Sequence, residues 1–221
     1  MKFLILSFLF LAQFIFAEQS FTAAKKELTE FYKANPQLQR DFYCNAPFKW
    51  IKNRFEIIPS ENYSPRNPKT KKGKINQRSK RIEWEHIMPA HNFGQHLACW
   101  RKGGRKECQK DPIFKKMEGD LQNLVPAIGE INGDRSNYRY AQAPKNLVFN
   151  QYGNCQVYTD FKNKRFYPAD YSKGWIARSY LYMSKTYNIR LSNQERKLME
   201  SWDRMYPMSE AERLIRSFNQ H

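Results

Sequence analysis

Four histidines occur in this chain of 221 residues, and only His86 directly follows an acidic residue, Glu85, with Pro89 three positions on. From Arg81 to Met88 the residues Ile82, Trp84, His86 and Met88 alternate with Glu83, Glu85 and Ile87, which predicts a strand stopped by Pro89. Leu121–Val125 predicts a second short strand, and Pro126, tolerated in a first helical turn, predicts the opening of a helix over Ala127–Ser136 with Asn132 inside it. An imidazole titrates near neutrality and suits removal of a proton from water. Glu and Asn oxygens suit a hard cation such as Mg2+, which keeps several waters and takes few protein ligands. A base and a cation of that kind together meet the needs of phosphodiester hydrolysis. Adjacent residues of a regular strand point to opposite faces. Glu85 and His86 therefore share a site only if the chain twists, bulges or bends before Pro89.

The elements around this pair carry much positive charge. Formal net charge is +17, which implies a polyanionic partner such as nucleic acid, an anionic membrane surface or an acidic polysaccharide. Residues 66–81 hold eight basic side chains (Arg66, Lys69, Lys71, Lys72, Lys74, Arg78, Lys80, Arg81) and no acidic one. Their place just before the Glu85–His86 strand marks Lys69, Lys71, Lys72, Lys74 and Arg78 as nucleic-acid contacts. Arg101 and Lys102 in a further basic cluster, and Arg135 in the helix, join them. Turn chemistry (Ser64-Pro65, Asn67-Pro68, Gly73) predicts a loop or irregular hairpin over 62–81, and 90–119 reads as one long functional loop. An aromatic content of 15% excludes a disordered basic tail.

The N-terminus points to export. Lys2 precedes an almost wholly apolar run, Phe3–Phe16, and Ala17 then meets polar residues, which is the pattern of a signal peptide cleaved after Ala17. That run is too short for a membrane span, and no later stretch is long and apolar enough for one. Residues 18–221 then form a single domain, a monomer by default, in the periplasm or outside the cell. Four cysteines in an exported chain read as two disulfides with three possible pairings. Gly103 and Gly104 let the chain turn back between Cys99 and Cys108, so those two are paired, leaving Cys44 with Cys155. Phe21, Ala24, Leu28 and Phe31 predict a first helix ended by Asn35-Pro36. Ser192…Glu195 and Ser209…Glu212 have capping-box spacing and mark two helices in a mainly helical C-terminus. Leu198, Trp202 and Met205 on one, and Leu214, Ile215 and Phe218 on the other, read as core.

Longer motifs carry a resemblance. Glu83–Ala90 (EWEHIMPA), Asn92–Gly94 (NFG), Cys99–Cys108 (CWRKGGRKEC), Asn123–Tyr138 (NLVPAIGEINGDRSNY) and Ile176–Met183 (IARSYLYM) resemble, in order and without gaps, the bacterial endonuclease I family. The resemblance runs roughly from Tyr43 to Tyr206. It implies an α+β fold with a ββα-metal (His-Me finger) core, surrounding helices and a helical C-terminus. It further implies that His86 is the general base, that Glu85 and Asn132 hold one divalent cation, usually Mg2+ with Ca2+ or Mn2+ as substitutes, and that Arg105 grips the phosphate. The implied activity is cleavage of DNA, and of RNA, to 5′-phosphate and 3′-hydroxyl ends with little regard for sequence.

Two other readings compete with this one. A zinc site could draw on His86, His91, His96 and the nearby cysteines, but five-residue spacing keeps them off one face and Pro89 interrupts the run. An exported cationic protein that binds nucleic acid without cutting it would fit the composition equally well. The Glu85, His86 and Asn132 set favours the enzyme.

Overall fold

The computed structural model describes residues 20–219; the expected signal peptide lies outside the described residues. Helix α1 (Phe21–Ala34) starts where Ser20 accepts a hydrogen bond from the Ala23 N–H and ends at Asn35, and it buries Ala24, Leu28 and Tyr32. A hairpin follows, β1 (Phe48–Ile51) with β2 (Arg54–Ile57). Phe48 and Phe55 from this hairpin join α1, Leu121, Leu124 and Ile215 in one of two hydrophobic clusters. The other cluster, larger, gathers Tyr43, Ile87, Met88, Phe93, Phe114, Ile131, Tyr180 and Trp202 from elements scattered along the chain.

Between the clusters runs the pair that carries the Glu-His motif. Strand β3 (Ile82–His86) is antiparallel to β4 (Leu124–Ile128), with Glu85 opposite Val125 and His86 opposite Leu124. Helix α5 (Gly129–Arg135) follows β4 without a break. Pro126 thus sits in mid-strand, opposite Trp84, rather than at a helix start. Its carbonyl accepts from the Phe42 N–H, so this side of the residue faces away from β3 and the missing Pro N–H costs no ladder bond. The helix is docked on β3 by Arg135. Its guanidinium donates to the Glu85 carboxylate at 2.9 Å, to the His86 carbonyl at 3.0 Å and to the Ile87 carbonyl at 2.5 Å.

Residues 90–119 are helical, not a loop: α2 (Ala90–Gly94), α3 (Ala98–Cys108) and α4 (Pro112–Glu118). Each is too short to show a repeating apolar face, and α3 is broken by a kink at Gly103 and Gly104, where Gly104 adopts φ +60° and ψ −149°. The kink brings Cys99 and Cys108 together, and both expected disulfides, Cys99–Cys108 and Cys44–Cys155, are formed. A three-stranded sheet of β5 (Arg139–Tyr140), β6 (Tyr158–Asp160) and β7 (Arg165–Tyr167) has β7 in the centre, parallel to β5.

The C-terminal third is helical: α6 (Asp170–Tyr187), α7 (Asn193–Met205) and α8 (Glu210–Phe218). Ser192 and Ser209 cap the last two by accepting from the Glu195 and Glu212 N–H groups. Trp202 and Ile215 are buried as expected, whereas Met205 (64% exposed) and Leu214 (48%) face outward. Arg178 of α6 instead docks α8 by an ion pair with the buried Glu212, and Arg216 of α8, which shares that carboxylate, donates to Gln122 and Ser179. Among the described residues no helix is long and apolar enough to cross a membrane.

Two stability outcomes follow. The Cys44–Cys155 bridge spans 111 residues and Cys99–Cys108 spans nine, so loss of the first should cost about 5 kcal/mol and of the second about 3 kcal/mol by loop entropy. Denaturant unfolding of the two Cys→Ser double variants checks the order. Arg135→Met leaves the Glu85 charge buried without its partner and should cost about 3–5 kcal/mol, whereas Lys71→Ala on the exposed loop should change stability by no more than about 0.5 kcal/mol.

Candidate active site

A cleft of about 520 Å³ runs along β3 and is lined by Ile82, Glu83, Trp84, Glu85 and His86 in succession, with Phe21, Arg105, Asn132 and Arg135 around them. Five consecutive strand residues border it, so it follows the edge of the strand rather than one face. Glu85 and His86 therefore share a site without a bulge, and the chain bends at Ile87 and Met88 directly afterwards. The expected Glu85, His86, Arg105 and Asn132 all meet here.

His86 is 7% exposed, and its Nε2 lies 2.8 Å from the Glu118 carbonyl. A carbonyl only accepts, so Nε2 carries the proton and Nδ1 keeps a free lone pair. Burial, aided by the charges of Arg105 and Arg135, pushes the His86 pKa down to about 3. The ring is neutral across the ordinary pH range, with the Nδ1 lone pair open. Phe21 packs against it at 4.7 Å between ring centroids.

Glu85 is 4% exposed. Its Oε1 accepts from the Tyr43 hydroxyl (2.9 Å) and from Arg135 (2.9 Å), while Oε2 has no protein partner among the described residues. Burial raises its pKa, against the opposing pull of Arg135 and Tyr43. Arg105 is presented by the part of α3 beyond the glycine kink, and its Nε donates to the Glu118 carboxylate at 2.6 Å. Glu118, at the end of α4, thus orients the imidazole through its carbonyl and the guanidinium through its side chain. Asn132 is half-buried in α5, and its amide makes no protein hydrogen bond among the described residues.

The remaining basic residues separate into groups. Arg78 reaches the cleft but is forked onto Glu83, which Arg81 shares, and its guanidinium lies against Gly133 of α5. Lys69, Lys71, Lys72 and Lys74 stand exposed on the 62–81 loop, outside the cleft, as do Arg101 and Lys102 on α3. That loop is pinned beside α5: Glu130 accepts from the Tyr63 hydroxyl and from the Arg66 and Asn67 N–H groups, and Arg66 forks onto Asp134. Arg135, expected as a nucleic-acid contact, is 1% exposed with its donors turned inward and supports the floor of the cleft.

Sequence reasoning missed Tyr43, Glu118 and Phe21. Each acts through a contact at least 30 residues away in the chain, and no local pattern marks such a partner. All four cysteines are in disulfides, and among the described residues no group of three or more His, Cys, Asp and Glu side chains could hold a metal. His91 and His96 face a different cleft.

Comparison with known proteins gives this geometry a setting. The sequence profile described as Endonuclease I matches residues 20–216. A periplasmic deoxyribonuclease of Aeromonas hydrophila is 47% identical over 191 residues, which cover 86% of this chain and 76% of its own length. An extracellular deoxyribonuclease of the same organism is also 47% identical, covering 86% and 78%. Endonuclease-1 of Buchnera aphidicola subsp. Acyrthosiphon pisum (strain APS) is 43% identical over 203 residues, covering 86% and 78%. With nearly the whole described chain matched in sequence, and Glu85, His86, Arg105 and Asn132 drawn into one cleft, the protein belongs to the endonuclease I family.

Proposed function

We propose that this chain is an exported endonuclease that hydrolyses phosphodiester bonds in DNA, and also in RNA, with little regard for base sequence. The observation that carries the reading is the neutral His86, tied by Nε2 to the Glu118 carbonyl in the cleft that Glu85, Asn132 and Arg105 also line. The relatives named deoxyribonuclease support DNA as substrate, and their periplasmic and extracellular names support export. In this reading β3, β4 and α5 form a ββα-metal core.

The residues present fit one hard divalent cation. Glu85 Oε2 and the Asn132 amide oxygen are two oxygens in the cleft without protein partners among the described residues, and an oxygen pair suits Mg2+, with Ca2+ or Mn2+ as substitutes. Bound there, the cation supplies positive charge opposite the negative charge that builds on the phosphate and on the leaving oxygen. His86 Nδ1 takes a proton from a water placed in line with the P–O3′ bond. The water oxygen bonds to phosphorus as P–O3′ breaks, leaving a 5′-phosphate; the departing 3′-oxygen takes a proton from a solvent water to become the 3′-hydroxyl, and the proton held on His86 returns to solvent. Arg105, held by Glu118, donates to a phosphate oxygen as a permanently charged, preorganised group. Arg135 and Tyr43 hold the Glu85 carboxylate in place. Affinity comes from phosphate contacts by exposed cations such as Lys69, Lys71, Lys72, Lys74, Arg101 and Lys102, which carry no base information.

His86→Ala should abolish cleavage of plasmid DNA while gel-shift affinity stays within a few-fold; a variant that still cuts at the wild-type rate removes His86 as the base. Chelation by EDTA should stop the wild type, and excess Mg2+ should restore it. Because the His86 pKa is displaced downward to about 3, the base stays neutral as pH falls through 6.5. Single-turnover cleavage should therefore keep its rate to well below pH 6, and a bound cation would act in the same direction. An acid limb centred near 6.5 would contradict the burial argument.

A further inference from the structure

A second and larger cleft, about 890 Å³, shares a wall with the first. Pro89, Ala90 and Ser136 face the catalytic cleft, whereas Met88, His91, Asn92 and Asn137 face the other. A chain leaving the His86 site over this wall enters the second cleft at once.

Four cations line it, from three separate parts of the fold: Arg139 on β5, Lys164 and Arg165 at the start of β7, and Arg190 between α6 and α7. None of the four makes an ion pair or side-chain hydrogen bond among the described residues. Most other arginines around the site are ion-paired with carboxylates. Arg139 and Arg165 are direct partners in the parallel β5–β7 register, so both side chains leave the same face of the sheet a strand spacing apart. Like charges placed opposite one another destabilise a sheet. The lone acidic group in the lining is Glu195, a half-buried side chain whose pKa is raised by burial and lowered by Arg139. One carboxylate does not offset four cations. An anion between the two guanidinium groups would remove the repulsion and satisfy their donors.

We propose that this cleft binds the phosphodiester backbone of the substrate strand beyond the scissile linkage, with the Arg139–Arg165 pair gripping one phosphate and Arg190 and Lys164 its neighbours. The inference rests on the nuclease reading above and deepens it. A polymer is favoured over a single free anion because the cations are spread along a cleft continuous with the catalytic one. Half-buried Tyr138 and the Asn92 and Asn137 amides offer bases a stacking face and polar contacts that do not depend on sequence.

The test compares Arg139→Ala/Arg165→Ala with wild type on single-stranded oligonucleotides of about four and about twenty nucleotides. On the long substrate KM should rise roughly tenfold with kcat unchanged, and the slope of log KM against log salt should fall by about one to two. The short substrate should be cut with unaltered kcat and KM. Arg139→Lys/Arg165→Lys should recover the salt slope, because the slope counts charges, and the Ala variant should melt no lower than wild type without nucleic acid. An unchanged KM on the long substrate, or an equal loss on both lengths, would overturn the proposal. So would loss of calorimetrically measured inorganic phosphate binding in the Ala variant with no change on the long substrate, which would mark a free-anion site. Cleavage of the short substrate by wild type but not by His86→Ala tests the catalytic reading separately.

Discussion

The buried pair of Glu85 and Arg135 is the interaction from which the candidate active cleft takes its shape. Both side chains are almost fully enclosed, and taking two charges out of water costs several kcal/mol per ion before any attraction is counted. What offsets this is the number of partners: Glu85 Oε1 accepts from Arg135 and Tyr43, and Arg135 also donates to the carbonyls of His86 and Ile87. Those two carbonyls lie where β3 ends and the chain bends, so one guanidinium fixes the strand terminus, the carboxylate and the helix that bears Asn132. The Arg135 Nε remains buried without a partner, a residual cost of the arrangement. An apolar pair of equal volume would hold β3 to α5 more cheaply, but it would leave no carboxylate oxygen directed into the cleft.

Glu118 plays the matching part on the other wall. It closes α4, a helix begun by Asp111 capping the Ile113 and Phe114 N–H groups and by Pro112 in the first turn. The Cys99–Cys108 bridge and the Gly103–Gly104 kink turn the end of α3 back so that Arg105 reaches the Glu118 carboxylate. The imidazole and the guanidinium are thus held to the same residue. A shift of α4 would move both together and preserve their relation to each other.

The sequence made the candidate site residues legible and left their supports hidden, for a physical reason. Glu85-His86 before Pro89 is a local signal, and so are the Ser192 and Ser209 caps, the Gly-Gly turn between two cysteines and the α1 periodicity. Each depends on residues within a few positions. Pro126 misled because a proline is compatible with both a first helical turn and an outward-facing strand position, and only the Phe42 contact, 84 residues away, decides between them. The helices within 90–119 are obscured by glycines and by Pro112, which break the pattern into pieces shorter than its period can reveal. Arg135 read as a surface cation because composition does not tell a solvated arginine from a buried one. Its role rests on Tyr43, Glu85 and His86, which nothing in its own neighbourhood announces.

The distribution of charge shows how net charge should be read in such a protein. Much of the arginine content is consumed internally: Arg66 on Asp134, Arg78 and Arg81 on Glu83, Arg135 on Glu85, Arg178 and Arg216 on Glu212. Planar forks suit such carboxylate pairs, whereas a lysine is a flexible, well-hydrated point charge. The lysines at 69, 71, 72 and 74 accordingly stand exposed, on a loop held rigidly at its base by Glu130 and Asp134. An excess of +17 therefore does not say which cations are free to meet a polyanion. Among the arginines without an ion pair, Arg139, Arg165 and Arg190 stand together in one cleft. A fold that pairs so many of its arginines yet leaves two opposite each other on neighbouring strands gives up stability at that point. An anionic ligand accounts for the placement in a way that solvation of the surface does not.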